Sequence, residues 1–205
     1  MKKSFFQRTY HIIQFFFFFS LTCLFLYIGL LLLNISISNI HIPQLDKYIS
    51  IILQFLNITK YYFKIVIYGV LTVPILLLGI ELFFRIKHDN FWNYFKSLHE
   101  TKHLRQFLKQ EEKAESTVSF YDQTTVTKIN PIIKQFNETI DKCLVDVRNK
   151  TVTIYLQYPK TQQAQKLLKD MEEHIKEEVS NQNPNYYFSA PNREGNSLWY
   201  IGTRR

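Results

Sequence analysis

Glycine is scarce in this 205-residue chain, with five in all, at positions 29, 69, 79, 195 and 202. No two are spaced as a phosphate-cradling loop requires, and none precedes Lys-Ser or Lys-Thr, so a nucleotide-hydrolysing motor is not expected. Cysteine is scarcer still. Cys23 lies in an apolar run and Cys143 opens a predicted strand. Both are read as packed thiols in a reducing compartment, and neither forms part of a disulfide framework. Thr22 before Cys23 is a poor lipidation context. No Ser-His-Asp or Cys-His arrangement is suggested, and no cofactor is expected.

What the chain has in excess is apolar and aromatic residues, with 18 Phe and 13 Tyr, and most of the apolar surplus lies before Phe84. Ile12 to Leu33 carries no charge. As a helix it spans about 33 Å, enough to cross a bilayer. It is too long for a signal peptide and has no small-residue cleavage site, so it reads as an anchor. A second span is predicted from Ile65 to Phe84, flanked by Lys64 and Arg85. Pro74 falls inside it, and Glu81 near its inner end is read as an interfacial acid paired with Arg85 or Lys87.

Lys and Arg set the expected orientation. Lys2, Lys3 and Arg8 precede the first span. Six bases follow the second one closely: Arg85, Lys87, Lys96, Lys102, Arg105 and Lys109. The intervening loop holds Lys47, Lys60 and Lys64. Both termini are therefore expected in the cytoplasm, in a multi-pass protein of the cell membrane. In the outer loop, Pro43 would open a short helix lying on the membrane surface.

Residues 86–117 mix bases with Phe91, Trp92, Tyr94 and Phe95. Two readings are open: a helix on the anionic inner leaflet, or one packing on its own domain or a partner. In the first, Arg85, Lys87, Lys96, Lys102 and Arg105 face lipid headgroups. His99-Glu100-Thr101-Lys102-His103 has the His-Glu-x-x-His spacing of zinc proteases. Lys102 between the imidazoles, Arg105 just after them, and the lack of a large surrounding domain argue against a metal.

Residues 112–125 read as a polar linker. Beyond it, a helix from Pro131, capped by Asn130, precedes an alternating pair of strands around Asn149-Lys150. A helix from Thr161 to Ser180 and a last strand pair around residues 191–196 complete the pattern. The expected fold is a membrane α-hairpin of two transmembrane helices (1–85), a juxtamembrane segment (86–117), and a small α+β domain with an antiparallel sheet (118–205). That last segment holds 12 Lys and Arg against 10 Asp and Glu, so the net charge of +8 belongs mainly to the membrane flanks. Direct nucleic-acid binding is not expected. Arg193, Trp199 and Arg204 are candidate interaction residues, since Trp and Arg are enriched at binding hot spots. A sheet core with a solvated basic tail is the plainer reading of the same three.

The order of parts resembles the N-terminal region of FtsK-type DNA-transfer (coupling) ATPases of Gram-positive conjugative elements. The resemblance rests on two spans with Ile42-Pro43 between them and on the inner flank RIKHDNFWNYFKSLHETKHLRQFL. It extends to the strands VDVRNKTVTIYLQY, the helix QQAQKLLKDMEEHIKEEV and the ending YYFSAPN. In that family a motor domain follows, whereas this sequence stops at Arg205. The resemblance therefore implies a non-enzymatic membrane anchor or adaptor of a plasmid or conjugative DNA-transfer apparatus. Its partners would be membrane lipid, proteins of that assembly, and further copies of the chain. A two-helix membrane effector, of defence or toxin type, with a sensing cytoplasmic domain is the alternative.

Overall fold

A computed structural model describes residues 1–39, 44–111, 115–118, 125–128 and 130–205, with side chains outside 112–129. The chain divides into two compact units: Arg8–Glu81, and Met1–Gln7 together with Leu82–Arg205.

Two helices dominate the first part of the chain. Helix α1 spans Phe5–Ser38 and α2 spans Asp46–His88. Both are long and apolar enough to cross a membrane. The sequence suggested a separate surface helix before the second span. Instead α2 runs through as one helix, because no Gly or Pro interrupts Asp46 to Tyr68. Its 43 residues make a rod of about 65 Å. Pro43 and Ile42 lie outside the described residues.

The second unit is α+β. Helix α3 (Trp92–Leu108) is followed by β1 (Glu115–Val118) and β2 (Thr125–Lys128), an antiparallel pair where a linker was expected. Helix α4 (Pro131–Ile140) starts as the sequence implied, with the Asn130 side chain accepting from the Ile132 amide and Pro131 at the first turn. Strands β3 (Leu144–Val147) and β4 (Thr151–Gln157) form the expected hairpin. The next helix divides at Met171 into α5 (Gln162–Asp170) and α6 (Glu172–Gln182). The chain ends in β5 (Tyr186–Phe188), β6 (Asn192–Glu194) and β7 (Ser197–Arg204).

The main sheet has the order β3-β4-β7-β5, with β6 also pairing β7, and every pairing is antiparallel. Gly195, at φ +59°, supplies the left-handed residue of the β6–β7 turn. Alternation puts Val145, Val152, Ile154, Leu156, Leu198 and Tyr200 on one face. There they form a single core with Leu104 and Leu108 of α3, Phe136 and Ile140 of α4, Leu168 of α5, and Ile175 and Val179 of α6. The opposite face carries Asp146, Thr153, Tyr155 and Trp199. The N-terminal residues pack against it. Gln7 Nε2 donates to the Thr153 carbonyl at 3.3 Å, and the Lys3 ammonium sits 3.7 Å over the Tyr155 ring. Helix α3 belongs to this unit and packs on its core, the second of the two readings of that segment, although the expected division set residues 86–117 apart from 118–205.

Candidate functional site: a polar ladder joining helix and sheet

Strand β3 is an edge strand, so the outward N–H and C=O groups of Val145 and Val147 need partners, as does the carbonyl of Cys143 just before it, whose N–H bonds the Ile140 carbonyl. Helix α3 provides them from every fourth position. Ser97 Oγ accepts from the Val147 amide at 2.9 Å, and Thr101 Oγ1 accepts from the Val145 amide at 3.0 Å. Arg105 Nε donates to the Cys143 carbonyl at 2.9 Å. The match is geometric: four helical residues rise about 6 Å, and two strand residues span about 6.7 Å. A stripe at i, i+4, i+8 therefore stays in step with alternate strand residues. Leu104 and Leu108, beside that stripe, enter the core.

The same spacing extends backwards across the break between α2 and α3. Asn93 Nδ2 bonds the Asn149 side chain at 3.0 Å, and Asp89 Oδ1 accepts from the Asn149 amide at 2.7 Å. Arg85, near the end of α2, donates to Asp146 Oδ1 at 2.6 Å and to the Val147 carbonyl at 3.1 Å. Its guanidinium also lies 5.3 Å from the Phe6 ring and 5.6 Å from the Tyr94 ring. Asp146 accepts a second bond from Arg148 Nε at 3.0 Å. Residues 85, 89, 93, 97, 101 and 105 thus form one ladder along β3 and its turn.

The candidate residues from the sequence scatter on this frame. Arg85 and Arg105, expected to face headgroups, turn into the protein, where Asp146 and the carbonyls of Val147 and Cys143 accept from them. Lys87 and Lys102 are exposed. Lys96 reaches Asn183 Oδ1 at 3.0 Å and lies 3.6 Å from Glu100. Trp199 is 3% exposed and packs edge-on against Tyr155 at 5.1 Å. It is therefore a sheet residue, as the plainer reading had it. Arg193 stacks over Tyr158 at 3.7 Å. Arg204 is exposed five residues along β7 from Trp199, about 17 Å away, so these three do not form one patch.

The His-Glu-x-x-His motif is split by the helix. His99 and His103 are exposed, with ring centroids 6.4 Å apart, and His103 lies against Glu178 and Gln182 of α6. Glu100 points the other way, is 4% exposed, and accepts from Asn183 Nδ2 at 2.8 Å. Burial raises its pKa, against the opposing pull of the Asn183 bond and of Lys96. Among the described residues no three metal-ligating side chains come together. Burial also pushes the Cys143 thiol up to about 12 and raises the Tyr200 hydroxyl. Neither group is poised as a nucleophile or base.

The residues that sequence reasoning missed are Asp89, Asn93, Ser97, Thr101 and Asp146. For the first four the only signal was a polar side chain at every fourth position through the juxtamembrane segment; for Asp146 it was a lone charge within an apolar strand. Comparison of the chain with protein-family models, with curated proteins and with solved structures gives no match.

Proposed function

We propose that the protein is a non-enzymatic membrane anchor whose α+β unit docks other proteins at the cytoplasmic face. The observation that carries this reading is the joint itself. Residues 1–7, at the start of α1, and residues 82–89, at the end of α2, are both built into the sheet unit. The chain between them must leave that unit and return to it. This favours a membrane hairpin with both termini on the side of the sheet, in agreement with the Lys and Arg asymmetry. Helices that expose Phe15, Phe17, Phe18, Phe25, Leu32 and Leu33 need lipid or protein around them in place of water. The buried Arg85–Asp146 pair makes the link between helix and sheet specific, so a partner bound to the sheet unit is held at the membrane. Assignment to a DNA-transfer assembly rests on the resemblance alone.

Cysteine labelling in intact cells tests the topology. Gln44→Cys should react with an impermeant thiol reagent and Ser180→Cys should react only after lysis. The reverse pattern sinks the proposal. Photo-crosslinking from Arg204 and Lys87, both exposed, should capture a protein in the native membrane. Equal recovery with and without irradiation would remove the docking role.

A further inference from the structure

Away from the ladder, the sheet unit holds a cleft between α4 and the start of α5. It consists of two adjoining cavities of about 530 and 140 Å³, which share Gln135 and Glu138. The larger alone is within the usual range for small-molecule sites, about 300–1,000 Å³.

Tyr158, just past β4, lines the smaller cavity. It is 7% exposed and its ring packs in the core, yet its hydroxyl has no hydrogen-bond partner among the described residues. Unlike the Tyr200 hydroxyl, it is not enclosed by protein. Buried hydroxyls are normally bonded, so one left open to a cavity marks a place for a ligand oxygen. Thr161, ahead of α5, sends its hydroxyl to Gln135 Oε1 at 2.5 Å and does not cap the helix. The first amides of α5, from Gln162 to Ala164, have no acceptor among the described residues, and Gln163 lines the larger cavity.

Three lysines border the cleft, Lys134 at the larger cavity and Lys142 and Lys160 at the smaller. None is paired with an acid among the described residues. Asp141, beside Lys142, bonds Lys109 at 2.7 Å instead. Amides at a helix start and unpaired lysines favour an anion. A phosphate brings close to two charges and three acceptor oxygens, where a carboxylate brings one charge. Glu138, shared by both cavities, turns away a second anionic group and accepts from a hydroxyl. The space exceeds what a bare phosphate fills.

We propose that this cleft binds a small soluble phosphate monoester bearing hydroxyl groups, its phosphate at the α5 amides and lysines and a further oxygen at Tyr158. The site lies wholly within the sheet unit, so it stands independently of the membrane reading.

The test is calorimetry on the full chain in a maltoside detergent with ribose 5-phosphate, glycerol 3-phosphate and adenosine 5′-monophosphate. At least one should bind saturably and more tightly than inorganic phosphate. Lys142→Gln with Lys160→Gln should weaken that binding roughly tenfold or more, and Tyr158→Phe roughly threefold. The melting temperature without ligand should hold in both variants, because neither removes a bond made within the protein. Failure of all three esters overturns the proposal, as does binding no tighter than that of inorganic phosphate. Unchanged affinity in both variants overturns it too. A response to tetraglutamate alone would give the cleft to an acidic segment of a partner protein. A response to phosphatidic acid in the micelle alone would give it to lipid. Either result overturns the soluble ester.

Discussion

Arg85 of α2 donates a 2.6 Å hydrogen bond to Asp146 of β3, and each side chain is about 1% exposed. A pair so buried holds helix to sheet, but loss of one partner strands the other's charge. Arg85→Ala should destabilise the sheet unit by about 3 kcal/mol, the lower end of the range for broken buried pairs, because Arg148 still reaches Asp146. Arg85→Met with Asp146→Leu should recover much of that loss, since no charge is then left buried. Melts of the full chain in detergent decide it. An Arg85→Ala variant with an unchanged midpoint would mean the pair does not hold the joint.

Thr101 faces both polar groups of Val145 on the edge of β3, accepting from its amide at 3.0 Å and lying 3.3 Å from its carbonyl. Thr101→Val keeps the shape and removes the acceptor, so the buried amide loses its partner. The expected cost is about 1–3 kcal/mol. Hydrogen exchange should show the Val145 amide losing protection first, with Val147 following in Ser97→Ala. If protection at Val145 is unchanged in Thr101→Val, the ladder is not what satisfies this edge.

The long apolar helices, the antiparallel sheet and the Asn130 cap were all legible in the sequence, because each depends on local pattern: uncharged length, alternation, or a capping side chain ahead of Pro131. The ladder was not. Ser97 and Thr101 look like surface residues until β3 is placed beside α3, and Arg105 looks like one more membrane-flanking base. Only the topology, with β3 at an edge, gives them partners. The continuity of α2 was hidden by Lys60 and Lys64, which mark an expected membrane boundary without breaking a helix. Trp199 shows the converse: its residue type suggested a hot spot, while its place in β7 beside Tyr155 makes it part of the sheet.

Glu100 should give the unit a pH dependence. Burial raises its carboxyl pKa above the ordinary 4.5, so the neutral form suits the fold better than the charged one. A group of this kind contributes most below its unfolded pKa, and that contribution is lost as pH rises through the folded pKa. Stability should therefore fall from about pH 4.5 upward. Glu100→Gln keeps an oxygen for Asn183 and removes the titration, so its melting temperature should lack this slope and match or exceed wild type at neutral pH. A variant that keeps the full slope would place its origin in another group.

The Cys143 thiol, fully buried and pushed up to about 12, should resist alkylation in the folded protein and react when the sheet unit opens. With Cys23 replaced by Ala, the rate of its modification in native buffer then measures opening directly. Wild type should label slowly, at a rate that rises with denaturant. Rapid labelling in native buffer would mean that this part of the core is open.

That reporter makes a last position testable. Gly202 of β7 lies opposite both Val152 and Phe188, and a Cβ there would sit 2.7 Å from the Phe188 ring. Phe188 is 2% exposed, so the ring has little room to withdraw. Gly202→Ala should force β5 away from β7 or tilt the ring, at about 1–3 kcal/mol. The backbone at Gly202 is not in the left-handed region, so the strain is between side chains and not in the chain itself. Shortening the ring should therefore relieve it. Phe188→Leu alone should destabilise by leaving space, yet Gly202→Ala with Phe188→Leu should cost less than the two separately. Cys143 labelling should accelerate in Gly202→Ala and slow again in the double variant. Additive costs would show that the alanine methyl and the ring do not compete for the same space.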